Sequence, residues 1–283
     1  MNILISGATG FIGRYVVSAA LSRGHDVVAL CRCLSKAKNV LPFSHSRLTI
    51  LLKADFLLDA NAFEAIDALI HLEWNDVGKY QTPENMLSNL EPQFRFLQLA
   101  FESGLKNVSV AGSCLEYGKI EGIVREDMEV YPCTYYGLAK VTLYRMLRLI
   151  VKQDVNLKWL RYFYVYGEGQ RNSSLYSSLN STIASGASSF DMSPGDQLRD
   201  FIDVRQLASN TLAVSEYSGD IGVINVGSGV PLSVEDFILQ RLSEKNCQLM
   251  LNKNAYSYPA YEPMNFWADI GKLEGIIGVR ADT

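Results

Sequence analysis

The opening thirteen residues constrain this chain more than any other stretch. The apolar run Ile3-Leu4-Ile5 stops short of Gly7, and Gly7-Ala-Thr-Gly10-Phe-Ile-Gly13 leads into Phe11, Ile12, Tyr15, Val16, Ala19 and Ala20 at helical spacing. A strand that short and that apolar has to be buried on both faces, between neighbouring parallel strands and beneath helices. The same alternation continues downstream. Val27–Leu30, Leu48–Asp55, Ala68–His71, Val108–Ser113 and Leu157–Arg161 read as strands, with amphipathic helix-length stretches at 83–103 and 135–153. The pattern predicts an α/β fold built on a doubly wound parallel sheet.

The Rossmann-type part is expected over residues 1–165, with 201–227 returning to it through a strand–helix element at 201–217 and a strand at Ile221–Val226. After Gly167 the periodicity loosens into the serine-rich stretch 173–189, and residues 166–200 and 228–283 are assigned to a small C-terminal substrate lobe. At 283 residues the chain has room for both. A net charge of −4 offers nothing to a nucleic acid, and no apolar run approaches the ~20 residues of a membrane span. The strand-like run begins at residue 3, so no leader is expected. Five scattered cysteines with no CxxC pair read as reduced thiols in a cytoplasm, and Cys31-Arg-Cys33 lacks the companions a metal site needs.

Between a strand and a helix, glycines allow a tight turn, close approach of the backbone to a pyrophosphate, and packing of helix on strand. The helix N-terminus then presents free N–H groups to the phosphates. Gly7, Thr9, Gly10, Phe11, Ile12 and Gly13 are therefore the expected dinucleotide cradle, although GxxGxxG differs from the GxGxxG of the older dehydrogenase fingerprint. An acidic residue after the second strand would select NAD by binding the ribose 2′-hydroxyl. None follows Val27–Leu30; Arg32 stands there instead, with Lys36 and Lys38 behind it. NADP(H) is the favoured cofactor on that ground, with NAD(H) as the alternative if Arg32 belongs to a solvated loop. Asp55 is expected just past the third strand, accepting from the adenine amino group.

Tyr136-Gly-Leu-Ala-Lys140 places a phenol and an ammonium one helical turn apart on a common face. A nearby ammonium favours the phenolate and brings a tyrosine toward a working range for proton transfer. The same lysine can donate to the nicotinamide ribose. Ser113, at the end of the fifth strand, supplies a hydroxyl for the reacting oxygen. Ser113, Tyr136 and Lys140 are the catalytic candidates. Tyr135 has Ala139 as its fourth neighbour, and Cys114 has no histidine partner in view. Glu73 reads either as a functional acid lining the cleft or as a loop carboxylate.

These motifs resemble the extended short-chain dehydrogenase/reductases, in the NAD-dependent epimerase/dehydratase branch. The likeness runs through the Gly7–Gly13 turn, Ile70-His-Leu72, Asn89, Ala111-Gly-Ser-Cys-Leu-Glu-Tyr-Gly118, Tyr136–Lys140, Arg161-Tyr-Phe-Tyr-Val-Tyr-Gly167, Arg199-Asp-Phe-Ile202 and Asn225-Val-Gly-Ser-Gly229. It implies a nucleotide-sugar substrate, a homodimer through the helices at 83–103 and 135–153, and Leu72 against the cofactor. It also implies a substrate cleft lined by Cys114, Tyr164 and Arg171, with Arg199 neutralising a phosphate. The 4,6-dehydratases of the branch carry an Asp-Glu pair after the active-site hydroxyl residue. Cys114 and Leu115 stand here, which removes the acid and base that elimination of water requires. Tyr164 replaces the family's Asn, and Arg205-Gln206 replaces its Asp pair. The resemblance is greatest to reductases of dTDP-4-keto-6-deoxy sugars acting in surface polysaccharide synthesis. A C4 epimerase with tightly held NAD would share every residue named. A non-catalytic nucleotide sensor would need the glycine turn but not Ser113, Tyr136 and Lys140 together.

Overall fold

Strand and helix alternate from the first residues of the computed structural model, which describes residues 1–59 and 61–278. In order come β1 (Asn2–Ser6), α1 (Phe11–Ser22), β2 (Asp26–Cys31), α2 (Leu34–Val40), β3 (Leu48–Leu52), α3 (Lys53–Phe56) and β4 (Ala68–His71). They are followed by α4 (Pro83–Glu102), β5 (Asn107–Ser113), a 3-10 turn at Cys114–Glu116, β6 (Gly122–Val124), α5 (Tyr135–Ile150), β7 (Asn156–Tyr162) and β8 (Tyr164–Tyr166). The last third contains α6 (Leu175–Ala184), β9 (Ser189–Asp191), β10 (Leu198–Asp203), α7 (Val204–Glu216) and β11 (Val223–Val226). It ends with β12 (Pro231–Ser233), α8 (Val234–Glu244), β13 (Met250–Asn252), β14 (Asn265–Ala268) and α9 (Gly271–Gly278).

Seven parallel strands form the main sheet in the order β11-β7-β5-β4-β1-β2-β3. The strand order reverses between β1 and β4, and at such a switch point the carboxyl ends of the strands open a crevice for a ligand. One face is covered by α4 and α5, whose Phe96, Leu97, Leu143 and Leu147 bury against Leu69, Val108 and Trp159. The other is covered by α1 and α7 through Val16, Val17, Ala208 and Leu212 against Ile3, Ile5 and Ile70. The expected doubly wound sheet is present. Among the described residues, no helix is long and apolar enough to cross a membrane.

Two expectations change. The third strand ends at Leu52, because Lys53–Phe56 coil into one helical turn that carries Phe56 into the core, edge-on to Phe63 at 5.0 Å. Asp55 lies exposed on that helical turn, just past the strand as expected. The serine-rich stretch is not loose throughout. Ser174 accepts from the Ser177 amide and starts α6, with Leu179 buried beneath it.

A second sheet runs β12-β10-β14-β6, with β8 paired to β10. It draws β6 and β8 from the middle of the chain toward the C-terminal strands. Asp200 on β10 knots it together: its buried carboxylate accepts from Ser228 N and Oγ, Gly229 N and Ala268 N at 2.6–3.1 Å.

Candidate active site

The glycine turn follows from steric necessity. Gly7 has φ +71°, and a Cβ there would sit 2.8 Å from Glu73 N and 2.9 Å from the Leu72 carbonyl carbon. A Cβ on Gly13 would fall 2.1 Å from Gly7 O, so helix and strand approach as closely as backbones can. Gly10 N donates to Gly7 O at 2.9 Å. Gly10 is also the N-cap of α1 and offers no side chain to its amides, and the first turn has no carboxylate to repel an anion. Thr9, Phe11 and Ile12, half-buried, surround that helix end. This cradle fits a dinucleotide pyrophosphate.

Just past β2, Arg32 is exposed and donates through Nη1 to Asn75 Oδ1 at 2.5 Å. Asn75 is fixed in turn by the fully buried Asn89, whose Oδ1 accepts from Asn75 N at 2.7 Å. Leu72 N donates to Ser6 O, continuing the β1–β4 pairing at the floor of the cleft. Glu73 is engaged by Lys53 at 2.7 Å, a half-buried ion pair at the same edge.

The fold brings Ser113, Tyr136 and Lys140 together at the carboxyl edge of the sheet. Ser113 ends β5, and its Oγ accepts from Leu115 N at 3.2 Å, leaving the hydroxyl proton to donate elsewhere. Thr134 caps α5 by accepting from Gly137 N, which fixes the first turn of the helix and with it Tyr136. The Ser113 hydroxyl is close enough to the Tyr136 phenol to favour its ionised form. The Tyr136 ring is held edge-on to Trp74 at 5.6 Å and tilted against Tyr80 at 5.4 Å. Lys140 Nζ donates to Ala111 O at 2.9 Å and lies 3.9 Å over the Trp74 ring.

The electrostatics differ from the expectation of a lysine-lowered phenol. Burial pushes the Tyr136 pKa up, the charges of Tyr80, Glu116 and Cys114 add to it, and the Ser113 hydroxyl opposes. Burial likewise lowers Lys140 to about 7, with Glu116 pulling the other way. The protein alone therefore holds a neutral phenol, a proton donor, beside an amine near its titration point.

That amine has a cost. Lys140 is charged in folded and unfolded chains alike below about pH 7, so the penalty of burying it is fully present there and fades as pH rises toward 10.5. Replacing it with Met is expected to stabilise the fold at pH 6–7 by on the order of a few kcal/mol and to gain less as pH rises. Thermal melts from pH 6 to pH 10 check this, and a gain that does not fall above pH 7 would show that the ammonium is not the cause.

Toward the second sheet, Cys114 is buried beside Ser113, and burial pushes its thiol pKa well up, which makes it an inert wall. The Tyr164 hydroxyl is buried and has no hydrogen-bond partner among the described residues. Arg199 is fully engaged. Its Nη2 meets Glu262 at 2.8 Å, its Nη1 donates to Leu198 O and Met264 O, and its guanidinium covers the Tyr164 ring at 5.2 Å. The exposed cation at this mouth is Arg171, which donates to Val77 O at 2.9 Å and crosses the Tyr80 ring at 5.4 Å.

Three residues at the site had no role in the sequence reading. Trp74 and Tyr80 carry no local signal, being aromatics in a loop. Glu116 had one: three residues after Ser113, it completes the S-x-x-E spacing of a capping box.

The chain belongs to the NAD dependent epimerase/dehydratase family, whose model matches residues 3–227. It is similar to dTDP-6-deoxy-L-talose 4-dehydrogenase (NAD(+)) of Aggregatibacter actinomycetemcomitans, 29% identical over 282 residues, covering 94% of this chain and 99% of that protein. It is also similar to dTDP-4-dehydro-6-deoxyglucose reductase of Escherichia coli, 26% identical over 271 residues, covering 90% and 83%. Among solved structures, UDP-glucuronic acid 4-epimerase from Bacillus cereus, in complex with UDP-glucuronic acid and NAD, matches with a TM-score of 0.83 at 25% identity, covering 98% and 93%.

Proposed function

We propose that the protein reduces the C4 keto group of a nucleotide-activated 4-keto-6-deoxyhexose, with dTDP as the nucleotide, supplying a deoxysugar for surface polysaccharide in the cytoplasm. The observation that carries this reading is the meeting of Ser113, Tyr136 and Lys140 beside the uncapped N-terminus of α1. Cys114 and Leu115 stand where an eliminating enzyme would need its acid and base. The similarity to the talose dehydrogenase over nearly the whole of both chains supports the choice of substrate.

A bound nicotinamide supplies the hydride. Ser113 donates its free hydroxyl proton in a hydrogen bond to the carbonyl oxygen, holding that oxygen against Tyr136. The Tyr136 phenol, kept neutral by burial, gives its proton to the forming alkoxide. Lys140, anchored on Ala111 O, keeps its remaining N–H groups for the phenol and the cofactor ribose. Arg171, with Tyr80 beneath it, is placed to meet the diphosphate at the mouth. Arg199 reaches a phosphate only by exchanging Glu262 for it.

Arg32 is what supports NADP(H). The talose dehydrogenase is named for NAD(+), and the Bacillus epimerase holds NAD, so neither relative supports that preference. Loss of one charge-assisted contact predicts that Arg32→Ala weakens NADPH about 10-fold and leaves NADH nearly unchanged. Titration of cofactor fluorescence checks this, and equal loss of both cofactors would remove Arg32 from the 2′-phosphate. Exposed Leu87 and Leu99 on α4 and Leu149 on α5 support a homodimer through those helices, which light scattering would report as twice the mass of 31.5 kDa.

The test is loss of nicotinamide absorbance on adding dTDP-4-keto-6-deoxyglucose, with and without a 3,5-epimerase. Loss that depends on the keto sugar establishes the reductase, and dependence on the epimerase marks an L-sugar product. A C4 epimerase is the second reading, favoured by the fold match to the Bacillus enzyme. No loss with either substrate, together with NAD carried through purification, would replace the first reading with it.

A further inference from the structure

Glu116 is completely buried, yet it stands one turn from the candidate catalytic hydroxyl. Its Oε1 accepts from Ser113 N at 2.8 Å and from Trp159 Nε1 at 2.9 Å. Its Oε2 takes Arg161 Nε at 2.8 Å. Trp159 and Arg161 sit two apart on β7 and so project to the same face. One carboxylate thereby ties the end of β5 to β7 across the sheet edge. The fit leaves no slack, since a Cβ on Gly112 would lie 2.4 Å from Trp159 Nε1 and 2.7 Å from Glu116 Oε1.

The turn held this way is also the surface against which α5 begins. A Cβ on Gly137 would meet Leu115 O at 2.5 Å, so the backbone next to Tyr136 rests directly on the 114–116 turn. A buried ion pair is weak support for stability, because desolvation offsets most of its attraction and an apolar pair can replace it at little loss. What an apolar pair cannot do is accept from the Ser113 amide.

We propose that Glu116 is a positioning residue, pinning the Ser113 amide and so placing both the Ser113 hydroxyl and Tyr136 for proton delivery. The inference rests on the reduction assigned above for its kinetic readout. Glu116 itself touches neither substrate nor cofactor in this reading. Misplacement of a reacting group by about 1 Å costs on the order of 10²-fold in rate.

The test compares Glu116→Met, which leaves the Ser113 amide without an acceptor, with Glu116→Gln, which retains an amide oxygen for it. Glu116→Met is expected to lower kcat by roughly 10²-fold with KM and cofactor Kd within about 3-fold, and Glu116→Gln to recover to within about 10-fold of the parent. Amide exchange over residues 113–117 should quicken at least ~10-fold in Glu116→Met. If Glu116→Met does not fold, the double variant with Arg161→Met leaves no buried charge unpaired and takes its place. Unchanged kcat in the folded Met variant, equal losses in Met and Gln variants, or unchanged exchange at 113–117 each overturns the proposal. A parent enzyme that does not turn over the keto sugar overturns the assigned reaction instead, and amide exchange still decides whether Glu116 holds the turn.

Discussion

Tyr136→Phe is expected to lower kcat by ~10²–10⁴-fold, the usual cost of losing a positioned proton donor, while cofactor affinity stays within about twofold. The reasoning is local. The phenol is the buried acid beside Ser113 at the sheet edge, and its raised pKa keeps the proton available at neutral pH. Removing one oxygen leaves the ring contacts with Trp74 and Tyr80 in place, so the fold and the cleft should survive. The loss should appear in kcat and kcat/KM together, because the proton moves only in the transition state. Rapid-mixing measurement of nicotinamide oxidation in a single turnover checks it without interference from product release. Turnover near the parent value would assign the proton to another group, with Tyr80 the first to examine.

The largest structural effect is expected from Asp200→Ala. Asp200 is fully buried, and its carboxylate satisfies Ser228 N, Gly229 N and Ala268 N at once, joining β10, the loop after β11 and β14. Truncation leaves three backbone donors without their acceptor, Ala268 N in the buried interior and Ser228 N and Gly229 N in half-buried positions. Each such orphan costs about 1–3 kcal/mol, so a total near 4 kcal/mol is expected even after partial relaxation. For a chain of this size that corresponds to a fall in Tm of roughly 10 °C. Differential scanning calorimetry measures it, and a shift below about 3 °C would show that the loop repacks or admits water. The effect should also be felt at the site, since Arg199 and Asp200 are neighbours on the strand that faces Cys114 and Tyr164.

Much of the architecture was legible without coordinates, and for identifiable reasons. β1, β2 and β4 are buried in the sheet and read as apolar runs, β5 and β7 are apolar runs broken by Ser109 and Lys158, and α4 and α5 show the periodicity of helices with one covered face. The edge strand β3 misled by extending its apolar run into Lys53–Phe56, where burial of a single ring decided the backbone. The short strands of the second sheet, three residues each at β6, β8 and β12, are too brief to show any period. Their partners are supplied from far along the chain, as when Phe266–Ala268 pair with Gly122–Val124.

The site divides along the same line. The amino-acid sequence by itself determined the glycine cradle, the helix that follows it, and the identities of Ser113, Tyr136 and Lys140. Those depend on residue type and on spacings of a few residues, which local sterics and helical geometry turn directly into structure. Only the tertiary structure decided how these groups are charged and held. Burial under Trp74 and Tyr80 raises Tyr136 and lowers Lys140, reversing the relation that their spacing suggested. Glu262, 63 residues away, takes up Arg199, and Arg161, 45 residues away, meets Glu116 beneath Ser113. Desolvation and pairing are properties of the packed interior, set by whichever distant segments come to surround a group, and no short stretch of sequence contains them.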